Sequence, residues 1–100
     1  MRLKIKKYLK GGRPHVIVHT IDNHHISVGL TSDNPKNKRN QKLNKVYESR
    51  GKISRLKRNA TYDSIYNYSK KMNFTIDEQS EEKAIKIANN KLKKIKKEKC

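Results

Sequence analysis

One hundred residues with 32% hydrophobic and 6% aromatic side chains and no tryptophan make one small domain with a thin core. Lys and Arg number 26 against 9 Asp and Glu, and self-repulsion from the net charge of +17 destabilises a compact monomer unless a polyanion or an acidic partner screens it. No apolar run approaches the ~20 residues of a membrane span, and MRLKIKKYLK lacks the apolar segment of a signal peptide, so the expected compartment is the cytoplasm and no membrane partner is expected. The single cysteine, Cys100, has no second cysteine for a disulfide or a zinc site, and neither a metal nor a cofactor is indicated.

Residues 1 to 10 alternate Leu3 and Ile5 with Arg2, Lys4 and Lys6, the pattern of a short edge strand. Gly11 and Gly12 suit a positive-φ turn, and Pro14 lacks an N–H, so the next strand should join its ladder after the proline. Gly11 to Asp33 is the densest apolar stretch of the chain. It reads as a β-hairpin, with Val16, Ile17, Val18 and Ile21 going out and Ile26, Val28 and Leu30 returning, and with Asp22 and Asn23 at a tight turn. A loop of two or four residues places Ile17, Ile21, Ile26, Val28 and Leu30 on one core face, with His15 and His19 on the same parity. Without a carboxylate or cysteine at ligand spacing these histidines read as packed or rim residues, and His24 and His25 as solvated turn residues.

Residues 32 to 42 hold no hydrophobic side chain. They predict an exposed loop in which Lys36, Lys38 and Arg39 are placed to meet a polynucleotide backbone. Leu43, Val46 and Tyr47 mark a short strand, ended by a turn at Glu48 to Gly51 that carries Arg50, with Lys52 leading into the next strand. From Lys52 to Thr61 the apolar spacing between Ile53 and Leu56 is three rather than two. That mismatch predicts a bulge, or a strand not fully buried on either face. Arg55, Lys57 and Arg58 on this strand, together with Arg13, would form a phosphate-binding surface. Tyr62, Tyr66, Tyr68 and Phe74 concentrate aromatics beside this basic run, as single-stranded RNA binding requires. Ile65 and Phe74 read as core caps and Tyr68 as the exposed stacking ring.

The last segment predicts a helix. Thr75 with Glu78 fits a capping box, Asp77 or Ser80 offers another start, and Ile85, Ala88, Leu92 and Ile95 form an apolar stripe among lysines. The stripe would pack on the β-rich part or pair with a second copy, so a homodimer stays open. Residues 1 to 72 carry 18 cations against 4 acids, which assigns most of the basic surface to the β-rich part. The expected architecture is mainly β with a C-terminal α-helix, an α+β chain divided into a basic β domain over residues 1–74 and a lysine-rich amphipathic helix over 75–100.

Arg13-Pro14 opening a β-branched strand, a returning strand ending in Leu30-Thr31-Ser32, a loop and a later basic strand resemble the MazF/PemK-like toxins over roughly residues 11 to 61. The resemblance implies a small SH3-like β-barrel and a metal-independent endoribonuclease. The matching catalytic positions are Arg13 and Thr31, with Ser32 adjacent. A guanidinium stabilises charge developing on a scissile phosphate, a hydroxyl hydrogen-bonds to it, and the RNA's own 2′-hydroxyl is the nucleophile. The chain departs from that family in its basic first strand and its very high charge. Three classes stay open: an RNA-binding barrel that cleaves RNA; a non-catalytic nucleic-acid-binding protein of a phage or mobile element; and an inhibitor whose cations occupy the nucleic-acid channel of another enzyme. The expected partner is nucleic acid, RNA in the first instance, with an acidic protein as an alternative.

Overall fold

The computed structural model of the chain describes residues 5–32, 36, 45–47, 53–71 and 76–98. Its elements are β1 (Lys6–Lys10), β2 (Arg13–Ile21), β3 (His24–Ser32), β4 (Lys45–Tyr47), β5 (Ile53–Ser64), β6 (Tyr68–Lys71) and α1 (Glu78–Glu98), with a 3-10 turn at Ile65–Asn67 before β6. The six strands form one antiparallel sheet in the order β4-β5-β3-β2-β1-β6. The fold is thus α+β, a mainly antiparallel sheet with a C-terminal helix. The sheet is open, with β4 and β6 at its two ends.

Turn chemistry sets the first three strands. Gly11 and Gly12 take φ of 58° and 78°, a backbone that side chains resist, and β1 turns back into β2. Asp22 and Asn23 sit at φ of 52° and 59° between the paired residues Ile21 and His24, so the β2–β3 loop is the two-residue kind whose twist matches its strands. Pro14 lies opposite Leu9 of β1, while the ladder to β3 begins one residue later at His15. The expectation of an edge strand at the N-terminus is corrected: β1 lies between β2 and β6, because residues 68–71 return to cover its free side.

Two bulges decide which side chains reach the core. On β2, Ile17 pairs with Ser27 but His19 pairs with Ile26, so one extra residue is taken up between them. That slip reverses facing on the N-terminal side of the bulge. Val16, opposite Val28, joins the core, whereas Ile17, expected there, is buried on the other face. On β5, Val28 pairs with Ala60 and Leu30 with Leu56, so the stretch Lys57 to Asn59 bulges opposite Gly29; the bulge expected from the spacing of Ile53 and Leu56 thus lies after that pair, since residues 53 to 56 pair without a shift.

The core clusters Val16, Val18, Ile26, Val28, Leu30, Leu56 and Ala60 of the sheet with Ile76, Ala84, Ala88 and Ile95. Each fully buried aliphatic chain contributes about 1.5–3 kcal/mol relative to exposure. Ala84 and Ala88 are completely buried, and their small side chains let α1 approach β5, β3 and β2 closely. The predicted stripe is therefore rotated: Ala88 and Ile95 are buried, while Ile85 and Leu92 pack at its margin. The helix starts after Asp77, whose carbonyl accepts the N–H of Glu81 at 3.0 Å. Glu78 and Glu81 sit in its first turn and Lys96 and Lys97 in its last, each at the helix end that its charge suits.

Candidate nucleic-acid interface

Directly paired residues of neighbouring strands point to the same side of a sheet, so the register identifies the face opposite α1. Tyr8 opposes His15, His15 opposes Gly29, Ser27 opposes Thr61, His25 opposes Asp63, Thr31 opposes Arg55 and Lys10 opposes Tyr68. These residues share the second face. It is strongly curled: Lys10 Nζ on β1 reaches Asp63 Oδ2 on β5 at 2.6 Å, although β2 and β3 lie between those strands. Three strand spacings would separate a flat pair by roughly 14 Å.

Ser27 is the hub of this face. It is completely buried, and its Oγ lies 3.0 Å from His15 Nδ1, 2.6 Å from the Tyr68 hydroxyl and 3.1 Å from Thr61 Oγ1. The Tyr68 ring stands edge-on to His15 and to His25, with centroids 5.9 and 4.8 Å away, and lies beneath Lys10 Nζ. The His15 ring also rests on Gly29, where a Cβ would stand 3.1 Å from its Cε1. Among the described residues its Nε2 has no hydrogen-bond partner. Beside this ring opens a pocket of about 450 Å³ lined by Lys10, His15, Lys57, Thr61, Asp63 and Asn67.

The electrostatics of the pocket follow from its neighbours. Burial first, then the charges of Lys10, Lys57 and Arg13, lower the pKa of His15 to about 4, against an opposing contribution from Asp63. The imidazole is therefore neutral at pH 7 although cations surround it. Asp63 accepts hydrogen bonds from Lys10 and from Asn67 Nδ2 (2.6 Å), and these hold its carboxyl at about 2, further helped by the Ser64 N–H. His25 is shifted downward by burial and by Lys6.

Arg13 is exposed at the start of β2, and Thr31 is half-buried near the end of β3. Arg13 pairs with Lys10 of β1 and Thr31 with Arg55 of β5, which places both on the pocket's face, while the β2–β3 ladder ends at His15 and Gly29 before it reaches either. Ser32 closes β3 and pairs with Ser54. Lys57 lines the pocket as expected of a cationic surface residue.

Three expectations are corrected. Tyr68 is buried at 9% exposure and forms the wall of the site, because its hydroxyl is drawn in by Ser27. Among the described residues the exposed ring is Tyr66, at 85%, in the 3-10 turn. Arg55 is also buried, at 8%, opposite Thr31, so it is not displayed to solvent. Arg58 leaves this face altogether, since the β5 bulge turns it towards α1. Lys36 lies in an exposed turn, while Lys38, Arg39, Arg50 and Lys52 lie outside the described residues, as does Phe74.

His15, Ser27, Lys10 and Asp63 were not singled out as site residues in the sequence. The available signal was Gly29, a lone residue without a side chain between Val28 and Leu30, which marks a close approach. His19, by contrast, behaves as a packed histidine, with Nε2 2.7 Å from Asn89 Oδ1 on α1. His24 and His25 are half-buried rather than solvated; the His24 ring packs on Tyr62 with centroids 4.7 Å apart, and His25 Nδ1 lies 2.7 Å from Thr20 Oγ1. Among the described residues no three His, Cys, Asp or Glu side chains are grouped to hold a metal.

Compared with known proteins, the chain matches no family model, no curated protein and no solved structure.

Proposed function

We propose that the protein binds RNA on the sheet face opposite α1, and that this face is a metal-independent endoribonuclease site of the MazF/PemK-like kind on an SH3-like barrel. The carrying observation is that Lys10, Arg13 and Lys57 all act on a neutral His15 beside an open pocket in which the Asp63 carboxylate is held by Lys10. Supporting the barrel reading are the curl that joins Lys10 to Asp63 and the Tyr68–Ser27 contact between β6 and β3.

In this reading Arg13 and Lys57 hold the scissile phosphate and Thr31 hydrogen-bonds to it. The ribose 2′-oxygen attacks phosphorus and its proton passes to Nε2 of His15. The bond from phosphorus to the 5′-oxygen breaks, which leaves a 2′,3′-cyclic phosphate, and the departing oxygen takes a proton from water. Tyr66 offers the exposed ring on which a neighbouring base stacks.

Incubating the pure protein with RNA tests cleavage. Wild type should yield fragments with cyclic phosphate ends, and Arg13→Ala and Thr31→Ala should not. Intact RNA with wild type, or equal cutting by both variants, removes the nuclease reading. Affinity for 2′-O-methylated RNA, measured across salt, tests binding separately: phosphate contacts require a steep fall, and a flat response removes the RNA reading as a whole.

A further inference from the structure

The bulge of β5 opposite Gly29 sends neighbouring cations to two different places. Lys57 lines the His15 pocket, whereas Arg58 and Asn59 line a groove of about 550 Å³ between β5 and α1. The helix contributes Asn90, Lys91 and Lys94 on the same side as Ile87, and Ile87 and Ala60 supply its apolar lining. Among the described residues no carboxylate lines the groove. Among the described residues, none of the side chains of Arg58, Asn59, Asn90, Lys91 and Lys94 has a hydrogen-bond or ion-pair partner. Three cations and two amides thus face one groove with their donors unused, on the helix side of the sheet rather than on the His15 face.

We infer that this groove is a second phosphodiester-binding site, which takes a run of RNA backbone separate from the strand held at His15. Guanidinium, ammonium and carboxamide donors are the groups that contact phosphate and ribose oxygens without reading bases. Ala60 and Ile87 give too little apolar area to seat a peptide, which favours a polyanion over an acidic protein segment. With contacts on both sides of the sheet, the protein engages an RNA long enough to pass from one to the other, and its binding should depend on RNA length. The inference rests on the RNA reading above.

The test is binding of 2′-O-methylated single-stranded RNA of about 20 nucleotides, beyond the span of one such face, measured by anisotropy across salt. Compared are wild type, the groove variant Arg58→Gln/Lys91→Gln/Lys94→Gln, and a control, Lys83→Gln/Lys86→Gln/Lys93→Gln, which removes the same charge from exposed helix positions outside the groove. The groove variant should bind about tenfold or more weakly near 0.1 M salt, with its logarithmic salt slope reduced by about 2. The control should fall far less. Groove-variant binding equal to wild type overturns the second site and leaves the His15 face standing. Equal losses in both variants show that only net charge counts, which also overturns it. Absence of binding by wild type removes both readings together. Since the groove side chains are unpartnered, all three proteins should unfold at similar urea concentrations.

Discussion

The imidazole of His15 lies against the backbone of Gly29, so near that a Cβ added there would stand 3.1 Å from Cε1 and 3.3 Å from Nε2. The ring cannot retreat easily, because Ser27 holds its Nδ1 and Tyr68 meets it edge-on. Lys57 Cδ, 3.2 Å away, is the more compliant neighbour. Gly29→Ala should therefore cost about 1 kcal/mol in urea unfolding, with overpacking outweighing the entropy gained by removing a glycine. A gain in stability would show that the ring is not pinned.

The depressed pKa of His15 carries a sign. In the unfolded chain the imidazole binds a proton below about 6.5, while in the folded protein it does so only near 4. Its contribution to stability is complete above 6.5 and is lost as pH falls from there to about 4, by an amount on the order of 2 kcal/mol. His25 adds in the same direction. Asp63 acts in a lower window, stabilising above its ordinary value of 3.8 and ceasing to do so near 2. Urea unfolding between pH 4 and 7 should show this slope, and His15→Asn should flatten most of it.

Ser27 serves three partners, so its removal strands more than one. Ser27→Ala should cost about 2–3 kcal/mol, because His15 Nδ1 and the Tyr68 hydroxyl lose their shared bond in a buried place. Tyr68→Phe should cost about 1 kcal/mol, and the double variant less than the sum. Strict additivity in a double-mutant cycle would mean that the two hydroxyls do not form one network.

Tyr66 and Tyr68 should separate cleanly in function and stability. Tyr66→Ala should leave urea unfolding nearly unchanged and weaken RNA binding by about 1–3 kcal/mol, the range for loss of one stacked base. Unchanged affinity would remove Tyr66 from the interface.

The β2–β3 turn leaves room for improvement. Asn23 sits at φ of 59°, which glycine adopts without strain, so Asn23→Gly should raise stability by about 0.5–1 kcal/mol. A lower unfolding midpoint would mean that the asparagine side chain outweighs the backbone gain.

Turns, strands and helix were legible in the sequence because their signals are local. Gly11-Gly12, Asp22-Asn23 and Asp77 each act through their own backbone. A bulge on β5 was legible but not its place: the odd spacing of Ile53 and Leu56 falls on a regular stretch, whereas the bulge lies between Leu56 and Ala60, both core residues four apart. The bulge on β2 leaves no such trace: Val16, Ile17 and Val18 are equally apolar, so nothing local shows that Val16 rather than Ile17 faces the helix. The polar site was hidden for a related reason. Lys10, His15, Ser27, Asp63 and Tyr68 meet only because the sheet curls and β6 returns beside β1, pairings between residues far apart in the chain. Nothing local to Tyr68 shows that it is buried, because Ser27, which draws in its hydroxyl, lies on β3, three strands away across the sheet.

That return of β6 to β1 also governs when the protein can fold. The β2–β3 hairpin is local and can form as soon as its residues exist, but Lys10 waits for Tyr68, and the apolar face at Val16, Val28 and Leu56 waits for α1. Folding should accordingly be slow for a chain of this length, with a late, cooperative closing step. Until the helix docks, the incomplete sheet presents both an open edge and an uncovered greasy face. The charge of +17 then has a second use: it keeps such half-made chains apart until they are finished.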